Sequence, residues 1–288
     1  SGSRPDGSGW APRLVTRAVT VDGEPVTGER RETGAALARF DLADELLGLE
    51  LVLELELLPS GLLRTRAALT NTGGDPYTLE ELTLALPVPA QADELLDFAG
   101  RWAKERTPQR RAFTVGSHLR ENRRGRTGAD SAHVLHAGRA GFGFRDGEVW
   151  AIHTAHSGNH RHLAEKVNTG RQILGGGELL LPGEVRLETG QTYLGPWVYA
   201  SHGVGLDEVA SRFHRHLRSR ERHVDTRRPV TLNVWEAVYF DHDLARLTDL
   251  ADRAADLGVE RFVLDDGWFG SRRDDTSGLG DWVVSAEV

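Results

Sequence analysis

The alternation of apolar and polar residues between Leu49 and Leu57 constrains the fold of this chain more than any other feature. Leucine occupies every odd position of the segment, and glutamate fills most of the even positions. Because side chains of a strand point alternately to its two faces, this period of two predicts a half-buried strand with an acidic solvent face. Residues 63–69 alternate in the same way, with Arg64 and Arg66 at polar positions. The two segments therefore predict neighbouring strands joined by a ladder of glutamate and arginine.

Further short apolar runs continue to about residue 200 and are separated by Gly, Pro, Asp and Asn. They are Leu79–Leu86, Phe142–Phe144, Val149–His153, Glu178–Leu181 and Thr192–Tyr199. Many short strands separated by turn residues are typical of a large antiparallel sandwich. We therefore predict a mainly β fold, in which residues 1–205 form a β-sandwich domain.

The periodicity changes after residue 205. Val209, Phe213 and Leu217 recur at helical spacing, with acidic residues near the start of the segment and basic residues near its end, as the helix dipole favours. Residues 218–228 are charged and poor in apolar side chains, which is typical of a linker. We predict a surface helix and a linker over residues 206–228.

The last part of the chain, residues 229–288, has an α/β pattern. A short apolar run follows Pro229, a helical apolar stripe lies between Asp243 and Leu257, and Phe262-Val263-Leu264 forms a second run. A strand, a helix and a strand in this order predict a parallel pair with a right-handed crossover. Because a complete (β/α)8 barrel takes ~250 residues, we interpret this part as the first βαβ unit of a truncated TIM barrel.

Composition excludes several classes of protein. The net charge of −8 opposes non-specific attraction to nucleic acid and to anionic membranes. No apolar stretch approaches the ~18 residues of a membrane span, and the N-terminus lacks a signal-peptide pattern. The absence of cysteine excludes disulfides and thiolate chemistry. We expect a cytoplasmic protein with no nucleic-acid or membrane partner. The absence of methionine, even at position 1, indicates a chain that starts within a longer reading frame or after a processing event.

Carboxylate and indole side chains follow both predicted strands of the α/β part. Trp235 follows the first strand, and Asp265, Asp266 and Trp268 follow the second. The carboxyl ends of parallel strands form the edge where α/β folds place their active sites. Indoles stack on the apolar faces of sugars and carboxylates accept hydrogen bonds from hydroxyls, so this set suits a pyranose site. A helix N-cap or a loop paired with arginine is the alternative interpretation.

Several motifs resemble one enzyme family. Residues 229–241 (PVTLNVWEAVYFD), 262–270 (FVLDDGWFG) and 273–282 (RDDTSGLGDW) resemble the start of the catalytic barrel of glycoside hydrolase family 36 α-galactosidases, the melibiases. Residues 100–106 (GRWAKER), 121–126 (ENRRGR) and 157–159 (SGN) resemble the N-terminal β-supersandwich of that family. The resemblance covers about residues 40–288, and residues 1 to about 40 add little to it.

This resemblance implies a retaining hydrolase that releases terminal α-linked galactose from oligosaccharides of the melibiose, raffinose and stachyose type. Such chemistry uses two carboxyl groups about 5–5.5 Å apart, one as nucleophile and one as acid/base, and implies no cofactor or metal. In the family both are Asp residues on later barrel strands, and the nucleophile lies in a Lys-Trp-Asp motif. Because this sequence has no Lys-Trp-Asp, we expect the catalytic residues downstream of Val288 and an inactive N-terminal fragment here.

The resemblance also assigns residues to substrate binding. Asp265 and Asp266 match the pair that binds galactose hydroxyls in the family. Trp102 matches a pocket-wall tryptophan that tetrameric members supply from a neighbouring subunit, which leaves a homo-oligomer open. Trp235 and Trp268 complete the predicted substrate-binding set.

Three other features allow more than one interpretation. Four histidines crowd one stretch and suggest a metal site, but no adjacent carboxylate supports it, so we interpret them as surface residues: His153, His156, His160 and His162. Residues 101–126 carry nine Lys and Arg, and without a nucleic-acid-binding motif an inter-subunit or inter-domain face is the better interpretation. Gly175-Gly-Gly177 lacks the Lys-Ser/Thr of a phosphate-binding loop and predicts a bulge or turn.

Two functional hypotheses follow from the sequence. The first is the N-terminal part of an α-galactosidase, and the second is a non-catalytic carbohydrate-binding or oligomerisation module built on the sandwich. A Lys-Trp-Asp strand encoded after residue 288 would support the enzyme, whereas a native stop codon there would support the module.

Overall fold

The computed structural model describes residues 1–28, 31–130 and 133–287. The chain divides into two compact units, Ser1–His223 and Val224–Val288. The first unit is almost entirely β, and the second combines helices with a small parallel sheet. The prediction of a mainly β chain is therefore confirmed.

Antiparallel strands fill the described part of the first unit. In chain order they are β1 (Gly2–Ser3), β2 (Val15–Val21), β3 (Glu24–Pro25), β4 (Ala36–Asp44), β5 (Leu49–Leu57), β6 (Leu63–Asn71), β7 (Tyr77–Leu79), β8 (Leu84–Val88), β9 (Glu94–Arg101), β10 (Lys104–Ala112), β11 (Gly116–Asn122), β12 (Leu135–Gly138), β13 (Glu148–Thr154), β14 (His160–Lys166), β15 (Gln172–Glu178), β16 (Val185–Leu187), β17 (Thr192–Leu194) and β18 (Val198–Val204). The largest sheet has the order β10-β9-β12-β13-β18-β6-β5-β4-β2-β3, with β17 beside β6. Two smaller sheets have the orders β11-β14-β15-β8 and β1-β7-β16.

The small sheets cover one long sheet and so make a sandwich. Between the long sheet and the β8/β14/β15 sheet lies an apolar core of Val88, Ala92, Leu95, Phe113, Leu135, Ala137, Ile152, Ala164, Leu174 and Val198. A second core packs β5 and β6 against β7 and β16 through Leu49, Leu51, Ala67, Leu69, Tyr77, Leu79, Leu180 and Leu187. Burial of this apolar surface is the main force that holds the layers together.

The predicted glutamate–arginine ladder is confirmed between β5 and β6. Glu54 is paired in register with Arg66, and Glu56 with Arg64. Each arginine donates a hydrogen bond to its opposite carboxylate, at 2.5 Å from Arg66 Nε and 2.6 Å from Arg64 Nε. Both guanidinium groups also lie over the ring of Trp197, at 4.4 and 4.2 Å from its centre. The indole therefore adds a cation–π contact to a pair of cross-strand ion pairs.

Helix α1 (Gly205–Arg218) packs on the long sheet, as the helical spacing predicted. Its Val209 is buried in a third apolar cluster with Leu96, Phe142 and Val149. Asp207 lies in the first turn and basic side chains lie in the last turn, which complements the helix dipole.

The second unit contains β19 (Thr231–Asn233), α2 (Trp235–Val238), α3 (Leu244–Asp256) and β20 (Arg261–Val263). Strands β19 and β20 pair in parallel, which confirms the predicted strand–helix–strand unit. Asp243 caps α3 because its side chain accepts a hydrogen bond from the backbone N–H of Arg246. Gly258 follows the helix with φ of 81°, a conformation that glycine adopts without strain. Across the described residues of both units, no helix is long and apolar enough to cross a membrane.

Two sequence interpretations of local structure are wrong. Residues 142–144 lie outside the strands, because the N–H of Phe142 donates to Arg139 O in a turn while its ring fills the third cluster. The Gly175–Gly177 triplet is neither bulge nor turn but lies within β15, in regular register with its neighbours. A Cβ at Gly177 would lie 2.8 Å from Leu82 O, so close approach of the backbone requires glycine there.

The interpretation of the four clustered histidines as surface residues is also wrong for two of them. His160 and His162 lie two positions apart on β14, so both point to its inner face, and they are only 2% and 1% exposed. The Nε2 of His162 accepts a hydrogen bond from Thr154 N–H at 3.1 Å. Burial lowers the pKa of His162 to about 3, so this imidazole is neutral in the folded chain.

The basic stretch of residues 101–126 is largely neutralised by local carboxylates. The ion pairs are Arg110 with Glu94, Arg111 and Arg120 with Asp97, Arg123 with Glu121 and Arg124 with Asp130. Five of the nine basic side chains in this stretch are therefore paired with carboxylates of the first unit.

We predict that trypsin cuts the folded chain first within residues 218–228. Every residue of that segment is exposed and lies outside helices and strands after Arg218, and five of its residues are arginines. The first unit should survive as a fragment ending near this segment, whereas residues 229–288 should be degraded, because two short strands and two helices leave apolar side chains such as Leu244 and Leu257 exposed. Mass spectrometry of a timed digest checks this. Equal protection on both sides of the segment would contradict it.

Candidate sugar-binding site

The parallel pairing of β19 and β20 brings two sets of polar side chains to one edge of the sheet. Asn233, the last residue of β19, is in register with Val263, the last residue of β20. The chain that follows β19 leads into Trp235, and the chain that follows β20 leads into Asp265 and Asp266. This edge is the carboxyl-end rim that the sequence predicted.

Asp265 is an exposed carboxylate whose position is set by Asn233. The Asn233 Nδ2 amide donates a hydrogen bond to Asp265 Oδ2. The Asn233 Oδ1 atom in turn accepts a hydrogen bond at 2.9 Å from the backbone N–H of Trp235. Among the described residues, Asp265 Oδ1 accepts no hydrogen bond from the protein. Asp265 therefore presents an oriented, unused acceptor to solvent.

Asp266 is engaged by the protein itself. Arg272, which is 5% exposed, donates from Nε to Asp266 Oδ1 at 2.7 Å and from Nη2 to Asp266 Oδ2 at 2.8 Å. The backbone N–H of Gly267 also donates to Asp266 Oδ1, at 2.7 Å. The hydrogen bond from Arg272 holds the pKa of Asp266 below its ordinary value. Asp266 therefore fits the alternative interpretation from the sequence, a loop carboxylate paired with arginine. Its carboxylate is a fixed, ionised group on the rim.

Three aromatic side chains from the segment after β19 form a cluster that reaches Arg272, the partner of Asp266. The Trp235 ring makes edge contacts with Tyr239 and Phe240, at centroid distances of 5.2 and 5.0 Å. The Phe240 ring also lies 5.6 Å from the guanidinium carbon of Arg272. A Cβ at Gly267 would lie 2.8 Å from Phe240, so the chain must carry glycine at this close approach. Phe240 therefore links the Trp235 side of the rim to the Asp266 side.

Trp268 lies in a separate aromatic cluster of the second unit. Its ring packs edge-on against Phe269 at 5.0 Å and is tilted against Trp282 at 6.3 Å. The indole is partly exposed.

Trp102 lies in the first unit, at the tip of the hairpin formed by β9 and β10. Its side chain is 87% exposed. The next residue, Ala103, has φ of 60° in the tight turn.

Sequence reasoning missed two residues that organise the rim, Asn233 and Arg272. Asn233 stands at the end of a strand only three residues long, two positions before Trp235, and that spacing was the available signal. Arg272 is one of two adjacent arginines in a charged loop, and the sequence offers no means of choosing between Arg272 and Arg273 as the partner of Asp266. Across residues 1–28, 31–130 and 133–287, no group of three or more His, Asp and Glu side chains is arranged to hold a metal ion.

Comparison with protein families decides where the chain belongs. Residues 1–188 match the glycosyl hydrolase family 36 N-terminal domain, and residues 192–288 match the melibiase domain. The chain belongs to glycosyl hydrolase family 36. The resemblance seen in the motifs is confirmed, and it is wider than those motifs indicated, because the match begins at residue 1. The reason is that β1 and β2, within the first 40 residues, are integral strands of the sheets.

Relatives of this family 36 chain include proteins named as α-galactosidases. An α-galactosidase from Escherichia coli is 42% identical over 282 residues, which is 96% of this chain and 40% of that protein. The α-galactosidase AgaA from Geobacillus stearothermophilus is 31% identical over 283 residues, 95% of this chain and 38% of that protein. A structure of an AgaA variant in complex with raffinose superposes with a TM-score of 0.83 at 27% identity, covering 99% of this chain and 42% of that one. The chain thus spans about 40% of the length of these relatives.

Proposed function

We propose that this chain supplies the galactose-binding part of an α-galactosidase, a retaining hydrolase that releases terminal α-linked galactose from oligosaccharides of the melibiose and raffinose type. The observation that carries the proposal is the exposed Asp265 carboxylate, held by Asn233 at the shared carboxyl edge of β19 and β20. Relatives from two bacteria are α-galactosidases, and structures of AgaA variants contain raffinose or stachyose.

Each proposed residue has a distinct role. Asp265 accepts hydrogen bonds from galactose hydroxyls, and Asp266, fixed by Arg272, provides a second anionic acceptor and orients the rim. Trp235 and Trp268 offer indole surfaces for the apolar face of the sugar, and Trp102 contributes a further indole to the pocket wall of a neighbouring subunit in a homo-oligomer. The nucleophile and the acid/base are not among these residues. A cytoplasmic location stays a prediction from composition.

We predict that the 288-residue chain alone does not hydrolyse p-nitrophenyl α-galactoside. Without a nucleophile and an acid/base the covalent route is absent, and binding groups alone cannot replace it. Product release should equal that of buffer in a continuous assay. Turnover that co-purifies with the chain and disappears in Asp265→Ala would contradict the assignment of these residues to binding.

A hybrid enzyme tests whether residues 1–288 support α-galactosidase activity when the catalytic residues are supplied. Residues 1–288 are joined to the part of the E. coli α-galactosidase that follows its matched region, and the product is purified as a folded species by size exclusion. The hybrid should hydrolyse p-nitrophenyl α-galactoside at least a hundredfold faster than the α-glucoside, which differs only at one hydroxyl. A folded hybrid that shows no preference for the galactoside would favour the non-catalytic module.

A further inference from the structure

Hydrogen bonds join two family-like motifs of the first unit that are remote in sequence, residues 121–126 and residues 157–159. Asn122, which is 1% exposed, donates from Nδ2 to Gly158 O at 3.2 Å and to Arg126 O at 2.6 Å. The backbone N–H of Gly125 donates to Asn159 Oδ1 at 2.8 Å. These reciprocal hydrogen bonds fix the end of β11 against the loop that precedes β14.

Arg120, two residues before Asn122 on β11, connects this part of the first unit to the β9–β10 hairpin that carries Trp102. Its Nη2 donates to Phe98 O at 3.2 Å and to Asp130 O at 2.9 Å. Its Nε lies 3.4 Å from Oδ2 of Asp97, a carboxylate that is 2% exposed. One guanidinium group therefore contacts two consecutive residues of β9 and also Asp130 in the segment that follows β11.

The hairpin packs against that same segment. A Cβ at Gly100 would lie 2.9 Å from Ala129 O, so the backbones approach each other closely just before the turn of the hairpin. Beyond Gly100 the turn carries the exposed Trp102, and Ala103 and Arg106 both have left-handed φ values, of 60° and 52°. The direction in which the tip projects thus depends on contacts of the strand residues just before the turn, and Arg120 binds both β9 and Asp130 beside that contact.

We propose that Arg120 is a positioning residue for Trp102. By binding β9 through Asp97 and Phe98 and the neighbouring segment through Asp130, it fixes the β9–β10 hairpin so that the indole is presented in one orientation. This proposal rests on the proposed function, in which Trp102 contacts the sugar. Pre-ordering the hairpin lowers the entropy lost when a ligand meets its tip.

The test uses the full 288-residue chain labelled with 5-fluorotryptophan. The Trp102 resonance is assigned with Trp102→Phe, and the other six tryptophans serve as internal references. In Arg120→Gln the Trp102 fluorine resonance should shift, and amide hydrogen exchange over residues 94–112 should accelerate about tenfold, while β5 and β6 keep their protection. The matched control is Arg123→Gln, which removes an exposed arginine three residues further along the chain that pairs with Glu121.

A second variant guards against general loss of structure. Arg120→Lys keeps a positive charge near Asp97 but lacks the forked donors of guanidinium, so it should fold and still loosen the hairpin. An unchanged Trp102 resonance and unchanged exchange over residues 94–112 in both variants would overturn the proposal. A uniform rise in exchange throughout residues 1–223 in Arg120→Lys would overturn it as well, since it would show a general structural role. Neither readout depends on sugar binding, so failure of the hybrid enzyme would be a separate result.

Discussion

Lowering the pH from 7 to 5 should destabilise the β-sandwich unit by about 4 kcal/mol through two buried histidines. Burial lowers the pKa of His162 to about 3 and that of His136 to about 4, whereas the ordinary value is 6.5. The unfolded chain therefore takes up a proton at each site near pH 6.5 and the folded chain does not. Their contribution to stability is complete above pH 6.5 and is lost as the pH falls, at about 1.4 kcal/mol per pH unit for each histidine.

Urea unfolding followed by circular dichroism between pH 5 and 7 measures this effect. Carboxylates with a lowered pKa, such as Glu81, act below their ordinary value of 4.5, so this window isolates the histidines. His162→Gln keeps an amide oxygen for the Thr154 N–H but cannot be protonated, and it should remove about 2 kcal/mol of the pH dependence. Burial also lowers the pKa values of His133, His153 and His216, which contribute to the remainder. His214→Gln, at an exposed position of α1, gives the baseline. An equal pH dependence in His162→Gln and the baseline would contradict the assignment.

In the hybrid enzyme, Asp265→Ala should lower kcat/KM for α-galactosides by about a hundredfold or more. Hydrogen bonds to a charged group contribute about 1.5–3 kcal/mol each, and a factor of ten corresponds to about 1.4 kcal/mol. Removal of the carboxylate also leaves the Asn233 amide without its acceptor, so the rim loses both a ligand contact and its internal order. Steady-state kinetics on p-nitrophenyl α-galactoside measure the loss.

The matched control is Asp252→Ala, the same chemical change at an exposed position of α3. It should leave kcat/KM within about twofold of the hybrid, because surface substitutions away from a site have small effects. If Asp265→Ala and Asp252→Ala behaved alike, Asp265 would have no part in binding.

The elements that the sequence predicted well are those whose pattern is local. In each of these elements the apolar residues recur with the period of a strand or of a helix, because one face of the element is buried. The elements are the β5–β6 ladder, helices α1 and α3, and the parallel pair of β19 and β20. The rim carboxylates were also predictable, because the end of a strand can be placed once its period is known.

The features that the sequence did not predict depend on partners far along the chain or on packing. The sequence predicts a bulge or turn at Gly177. Glycine is required there because the backbone of Leu82, on the neighbouring segment of the sandwich, leaves no room for a Cβ. His160 and His162 read as surface residues, because only the covering sheet buries them. The difference between Asp265 and Asp266 likewise depends on Arg272 in the following loop. Arg272 donates hydrogen bonds to both oxygens of Asp266, whereas Asp265 stays exposed.

The measurement that tests the central claim most directly is azide rescue of the hybrid carrying Asp265→Gly or Asp266→Gly. A small anion restores activity when the missing group is a nucleophile or an acid/base, because it can replace that group at the reacting carbon. A missing acceptor for a sugar hydroxyl cannot be replaced in this way. We expect both variants to stay impaired in azide and to form no galactosyl azide. Restored turnover with a galactosyl azide product would show that residues 1–288 contain a catalytic carboxylate and that their role is not limited to binding.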